Sequence, residues 1–145
     1  MKKIEKSVVI NASKEKLWEV LTRDVYTRDW YSAFSPGSHA VTDWKEGSPV
    51  HFIDQSNNGM AARISESIPG KSLVIEFTGQ VINGKEDLES PEALKYKGGH
   101  ETYRITEENG MVRLDISSDM DEDMFEMMSG LWEKAFERLK QLAEH

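Results

Sequence analysis

The chain contains no cysteine. That excludes disulfides, thiolate metal sites and a cysteine nucleophile, and it is compatible with a reducing, intracellular compartment. A long apolar run is missing too. The opening MKKIEKSVVIN has two early lysines followed by only a short apolar-containing stretch, which makes neither a signal peptide nor a membrane span. The expectation is a cytoplasmic protein with no membrane insertion. Positive charge is scarce, with 18 Lys+Arg against 26 Asp+Glu and a formal net charge of −8. The acidic residues are spread along the chain and no basic stripe stands out, so no nucleic-acid partner is expected.

Several catalytic and metal signatures are also absent. Histidines at 39, 51, 100 and 145 show neither His-x-x-x-His nor His-x-x-Glu-His spacing. His39 and His51 could meet only if their two strands paired. There is no glycine-rich phosphate loop and no Gly-x-Ser-x-Gly elbow. The run Asp119-x-Asp121-x-Asp123 opens like a calcium loop, but its sixth position is Met124 where glycine is needed, and its twelfth is Gly130 where a bidentate glutamate is needed. Neither a metal nor a cofactor is expected.

What is present has the size of one domain, residues 1–145. Residues 4–10 alternate, Ile4, Lys6, Val8 and Ile10 against Glu5, Ser7 and Val9, which is the pattern of a half-buried strand. Asn11-Ala12-Ser13 matches a glycosylation sequon, but Ser13 is better explained as the cap of a short helix with Leu17, Trp18, Val20 and Leu21 on its buried face. A second helical piece, Val25 to Tyr31, ends before Ser35-Pro36-Gly37.

From residue 38 to 119 the chain reads as strands: His39–Thr42, Pro49–Asp54, Met60–Ile68, Ser72–Val81, His100–Glu107 and Met111–Ser118. Asn58-Gly59 and Asn109-Gly110 are hairpin signals, because both central residues of a type I′ turn need positive φ. Ile68-Pro69-Gly70-Lys71 is a further tight turn. The charged segment Asn83–Gly99 interrupts this meander as a surface excursion, a lid or a mobile loop, holding a short helix begun by Ser90 and Pro91.

The last helix starts near Asp119 or Asp121, with Asp119 and Glu122 at capping-box spacing. Its stripe runs Met124, Met128, Leu131, Ala135, Leu139, Leu142, with Phe125, Trp132 and Phe136 alongside. It places methionines at 120, 124, 127 and 128 and then Ser129-Gly130 in mid-helix, where glycine costs about 1 kcal/mol relative to alanine. A seven-stranded antiparallel sheet with one apolar face must be covered by this long amphipathic helix. The expected class is α+β, a curved sheet around a C-terminal helix with two short helices after the first strand.

The stretches VVINASKEKLWEVLT, DWKEGSPVHF, ISESIPGKSLVIEF, ESPEALKYKGGHETYRIT and WEKAFERLKQLAE, in this order, resemble the START-like (SRPBCC) superfamily. Within it they look most like the Hsp90-ATPase-activator-homologue branch of small bacterial proteins. The resemblance implies a helix-grip fold with a hydrophobic cavity between the sheet and the C-terminal helix. Superfamily members bind lipids, polyketides or other apolar molecules there, and some catalyse cyclisation or dehydration. The branch takes its name from a eukaryotic co-chaperone, which implies a chaperone as a protein partner.

The expectation is a non-catalytic protein that binds a small hydrophobic ligand. A cyclase- or hydrolase-like enzyme and a co-chaperone-type interaction module are the alternatives. Trp30, Phe34, Phe52, Phe77, Tyr103, Met124, Met128 and Trp132 are the expected ligand contacts, since pockets are lined mainly by apolar and aromatic side chains and methionine adapts to varied shapes. Glu101, His100 and Tyr103 are the weaker catalytic candidates, because strand alternation sends His100 to the opposite face from the other two. Glu66 shares a strand face with Ile64 and Ile68; buried, it would need Arg63, Arg104 or Arg113 as a partner or a raised pKa, whereas facing water, the expected case, it needs neither.

Overall fold

The computed structural model describes every residue, Met1–His145. Strand β1 (Lys2–Ile10) is followed by α1 (Lys14–Thr22), α2 (Asp24–Trp30) and a 3-10 turn at Tyr31–Ala33. Then come β2 (His39–Val41), β3 (Pro49–Ile53), β4 (Gly59–Ile68), β5 (Ser72–Ile82), β6 (Lys85–Asp87), α3 (Pro91–Tyr96), β7 (His100–Glu108), β8 (Met111–Met120) and α4 (Phe125–Glu144). Seven strands form one antiparallel sheet in the order β1-β8-β7-β5-β4-β3-β2, with β6 pairing to β5 off that path. This is the α+β helix-grip arrangement, the sheet curving around the long C-terminal helix.

Local chemistry accounts for most boundaries. Ser13 accepts the Lys16 N–H at 3.0 Å and starts α1. Ser90 does the same for Ala93 ahead of α3, with Pro91 at the first helical position. Asn109 and Gly110 both have positive φ, as a type I′ turn requires. Lys71 N–H closes the Pro69-Gly70 turn on Ile68 C=O at 2.9 Å.

Several sequence expectations need correction. Asn58-Gly59 is not a two-residue turn: the loop runs Asp54–Asn58, closed by Asp54 N–H to Asn58 C=O, with positive φ at Asn57. Gly59 is required for space instead, because a Cβ there would lie 1.8 Å from the Phe52 carbonyl oxygen. A third pair, Asn83-Gly84, makes the type I′ turn that the sequence reading passed over, and it joins β5 to β6. Asp119 does not cap the last helix. β8 stays paired with β1 as far as Lys2↔Met120, so the backbone is still extended at 119. Asp121 instead accepts the Asp123 N–H and begins a 3-10 turn before α4. The helix itself is 20 residues, about 30 Å long.

The segment 83–99 is a folded part of the sheet edge. β6, Gly98 and Gly99 all bond to the side of β5 that β7 uses further along. Asp87 ties it together, accepting from the Gln80 amide and from the Ser90 hydroxyl and N–H. These bonds hold its carboxyl well below the usual range. Glu66 leaves the inward face because Ser65 is an extra, bulged residue in β4: Ile64 pairs with Ile75, but Glu66 pairs with Val74. On that outer face it accepts the Ser72 hydroxyl at 2.7 Å.

The core combines Ile4, Ile10, Leu114 and Ile116 of the sheet with Leu17, Val20 and Leu21 of α1 and with Trp132, Ala135, Phe136, Leu139 and Ala143 of α4. The buried stripe of α4 is thus rotated from the expected one, since Leu131 and Leu142 are only half-buried.

Candidate functional site

Beneath the first turns of α4 lies a cavity of about 370 Å³, within the usual range for small-molecule sites. The end of α2 and the turn after it deliver Trp30, Tyr31 and Phe34. Trp30 is pinned by its indole N–H, which donates to Val20 C=O at 2.8 Å, and by an edge-on contact with Tyr31 at 4.6 Å. Inward-facing strand positions supply Phe52, Phe77, Glu101 and Tyr103, while Met124, Met128 and Trp132 close the helix side.

All eight expected contact residues therefore lie on one wall system. Trp132 is its centre, with ring centroids 5.0 Å from Phe34, 6.2 Å from Tyr103 and 6.3 Å from Trp30. The sequence reading missed Tyr31, Met60, Tyr96, Ser118 and Met120, which also line the cavity. Ser118 was findable: counting outward from the Asn109-Gly110 turn pairs it with Glu101. Tyr96 was not, because its position depends on how the 83–99 segment folds back on β5.

At the inner end of this apolar surface sits one carboxylate, Glu101. Tyr103 donates its hydroxyl to it at 2.7 Å, and Ser118 Oγ approaches at 3.4 Å. Burial pushes the Glu101 carboxyl up from its ordinary value, partly offset by those two hydrogen bonds. Burial, reinforced by the neighbouring Glu101 charge, likewise raises the Tyr103 and Tyr31 phenols well above theirs.

His100 is absent from this cluster. Its ring faces the other side of the sheet, with Nε2 3.6 Å from a Glu76 oxygen. The trio His100, Glu101 and Tyr103 is therefore split as strand alternation requires, leaving a carboxyl–phenol pair. Such a pair can accept a hydrogen bond, hold a positive charge or exchange a proton with a bound molecule. His39 and His51 also go separate ways, the first to Gly37 C=O and the second to Glu86.

Comparison with known proteins bears on the fold and family. The sequence model of the family described as "Activator of Hsp90 ATPase homolog 1-like protein" matches residues 11–144. No curated protein matches in sequence. Among solved structures, the Aha1 dimer from Colwellia psychrerythraea is similar at 16% identity and a TM-score of 0.75, over 99% of this chain and 97% of that one. Protein MLL2253 from Mesorhizobium loti matches at 17% identity and 0.72, covering 97% and 96%. CalU16 from Micromonospora echinospora matches at 17% and 0.68, covering 97% and 75%. At these identities the likeness concerns the fold alone.

Proposed function

The chain belongs to the Activator of Hsp90 ATPase homolog 1-like family of the START-like superfamily, and from that premise we propose that it is a binding module whose cavity takes a small hydrophobic molecule without transforming it. The observation that carries this reading is the cavity of about 370 Å³, walled by aromatic rings and methionines from every layer of the fold. Trp30, Phe34, Phe52, Phe77, Tyr103, Met124, Met128 and Trp132 are its proposed contacts. A dry core would close over such residues at crystal-like density; here they border open space.

A second reading, a protein-interaction module of co-chaperone type, draws on the family description and on the structural likeness to a protein described as an Aha1 dimer. The comparisons favour it over the ligand reading, whereas the cavity favours the ligand. Native mass spectrometry, combined with NMR titration against a panel of planar and lipid-like apolar compounds, separates the two. Shifts confined to methionine methyls 60, 120, 124 and 128 support the cavity. Stimulation of an Hsp90-type ATPase with those methyls unmoved supports the interaction module.

A further inference from the structure

No lysine or arginine lines the cavity beside its carboxylates. Its lining holds Asp54, Glu101 and Asp119, one histidine, and neither lysine nor arginine. Two of the three carboxylates are already committed. Asp54 accepts the N–H groups of Ser56 and Asn58 and so fixes its own loop. Asp119 accepts from Lys3 Nζ at 3.0 Å and from His100 N–H at 2.9 Å. Burial opposes ionisation of Asp119, but these two partners outweigh it and hold its carboxyl below the usual range.

Glu101 differs from both. Its partners are the neutral hydroxyls of Tyr103 and Ser118, and no cationic side chain pairs with it anywhere in the ion-pair network of the molecule. Glu101 is only partly exposed and faces a largely apolar cavity, where a carboxylate ordinarily has such a partner because desolvation without one is costly.

The surface next to Glu101 is also suited to positive charge. Tyr103 links the carboxylate to the Trp132 indole, which is clustered with Trp30 and Phe34. Aromatic faces attract ammonium groups within about 6 Å of their centroids, most strongly where water is excluded. An anionic ligand end in the same place would set two carboxylates together in a low dielectric with no lysine or arginine to separate them. The net charge of −8 adds long-range attraction for cations.

We infer that the occupant is a hydrophobic, preferably aromatic, amine whose protonated nitrogen pairs with the Glu101 carboxylate while its apolar body lies on Trp132, Trp30 and Phe77. This rests on the cavity being a ligand site. It separates that site from one built for fatty acids, whose carboxylate would need a basic clamp.

The test is a matched set: naphthylethylamine, naphthylethanol and naphthylacetate, titrated at neutral pH by calorimetry and followed by the methionine methyl resonances. The amine should bind about tenfold or more tightly than the alcohol, the difference expected of a charge-assisted hydrogen bond, and the acetate should bind most weakly. Glu101→Gln should remove the amine's advantage, bringing its affinity down to that of the alcohol. If the alcohol or the acetate binds as tightly as the amine while the methionine signals move, the amine inference is overturned and the cavity reading stands. If none of the three moves those signals, both are overturned. The wild-type ranking decides the matter even if the variant folds poorly.

Discussion

The two halves of α4 do opposite work. From Leu131 to Glu144 the helix is an anchor. Trp132, Ala135, Phe136, Leu139 and Ala143 are buried, and its flank is tied down by Arg138 to both Asp29 oxygens, at 2.6 and 2.8 Å, and by Lys140 to Val9 C=O. From Phe125 to Gly130 no residue is fully buried. Met124 and Met128 border the cavity, Met127 is more than half exposed, and Gly130 has no atom near its missing Cβ. Sharing one backbone, the halves differ in what lies beneath them, packed sheet or open cavity. Met124 and Met128 follow the cavity, where unbranched side chains cost little and a ligand would need room, whereas Met127 and Gly130 face solvent.

The largest expected effect tests the anchor. Leu139→Ala, at a position with no exposed surface, should cost about 2–5 kcal/mol of stability by removing buried methyl groups and leaving a void, measured by urea unfolding. A loss under 1 kcal/mol would erase the distinction between the halves. Gly130→Ala should act in the opposite sense, raising stability by up to about 1 kcal/mol through helix propensity and reduced unfolded-state entropy. No neighbouring group can clash with the added methyl. A decrease would mean that the N-terminal half is packed after all.

The smallest effect concerns the cavity floor. Glu101 faces Tyr103 and Ser118, with the Tyr31 phenol close enough to feel its charge, and its carboxyl is raised by burial. The folded state therefore holds a proton that the unfolded state has already lost, so stability falls as pH rises through that interval. Glu101→Gln should raise the thermal midpoint at neutral pH by a few degrees, and the gain should vanish below about pH 4, where an ordinary glutamate is itself protonated. A gain that is constant with pH would show that burial of the charge is not its source.

Much of this was legible locally. Caps at Ser13 and Ser90, turns at Pro69-Gly70 and Asn109-Gly110, and the alternation that parts His100 from Glu101 and Tyr103 are all set within a few residues of chain. So was the aromatic and methionine content of the cavity wall, because inward strand positions and a helix stripe name the residues that share an interior. The failures have one cause. Asp119 reads as a helix cap until β1 pairs beside it and keeps it extended. Segment 83–99 reads as a loose excursion until β5 offers its edge. In each case pairing with a neighbouring strand outweighed the local preference.

By itself the sequence determined the helices and long strands and their order, the turns at Pro69-Gly70 and Asn109-Gly110, and which side chains are apolar enough to seek the interior, since these depend on backbone propensity and short-range periodicity. Only the tertiary structure decided that the first strand lies beside the last. It also decided that Ala143 is buried on α4 while Leu131 and Leu142 are only half-buried, and that Glu101 ends among aromatic rings with no cationic side chain to pair with. Those outcomes depend on how sheet curvature and helix packing share out space and charge among residues a hundred positions apart, information that no local window of the chain contains.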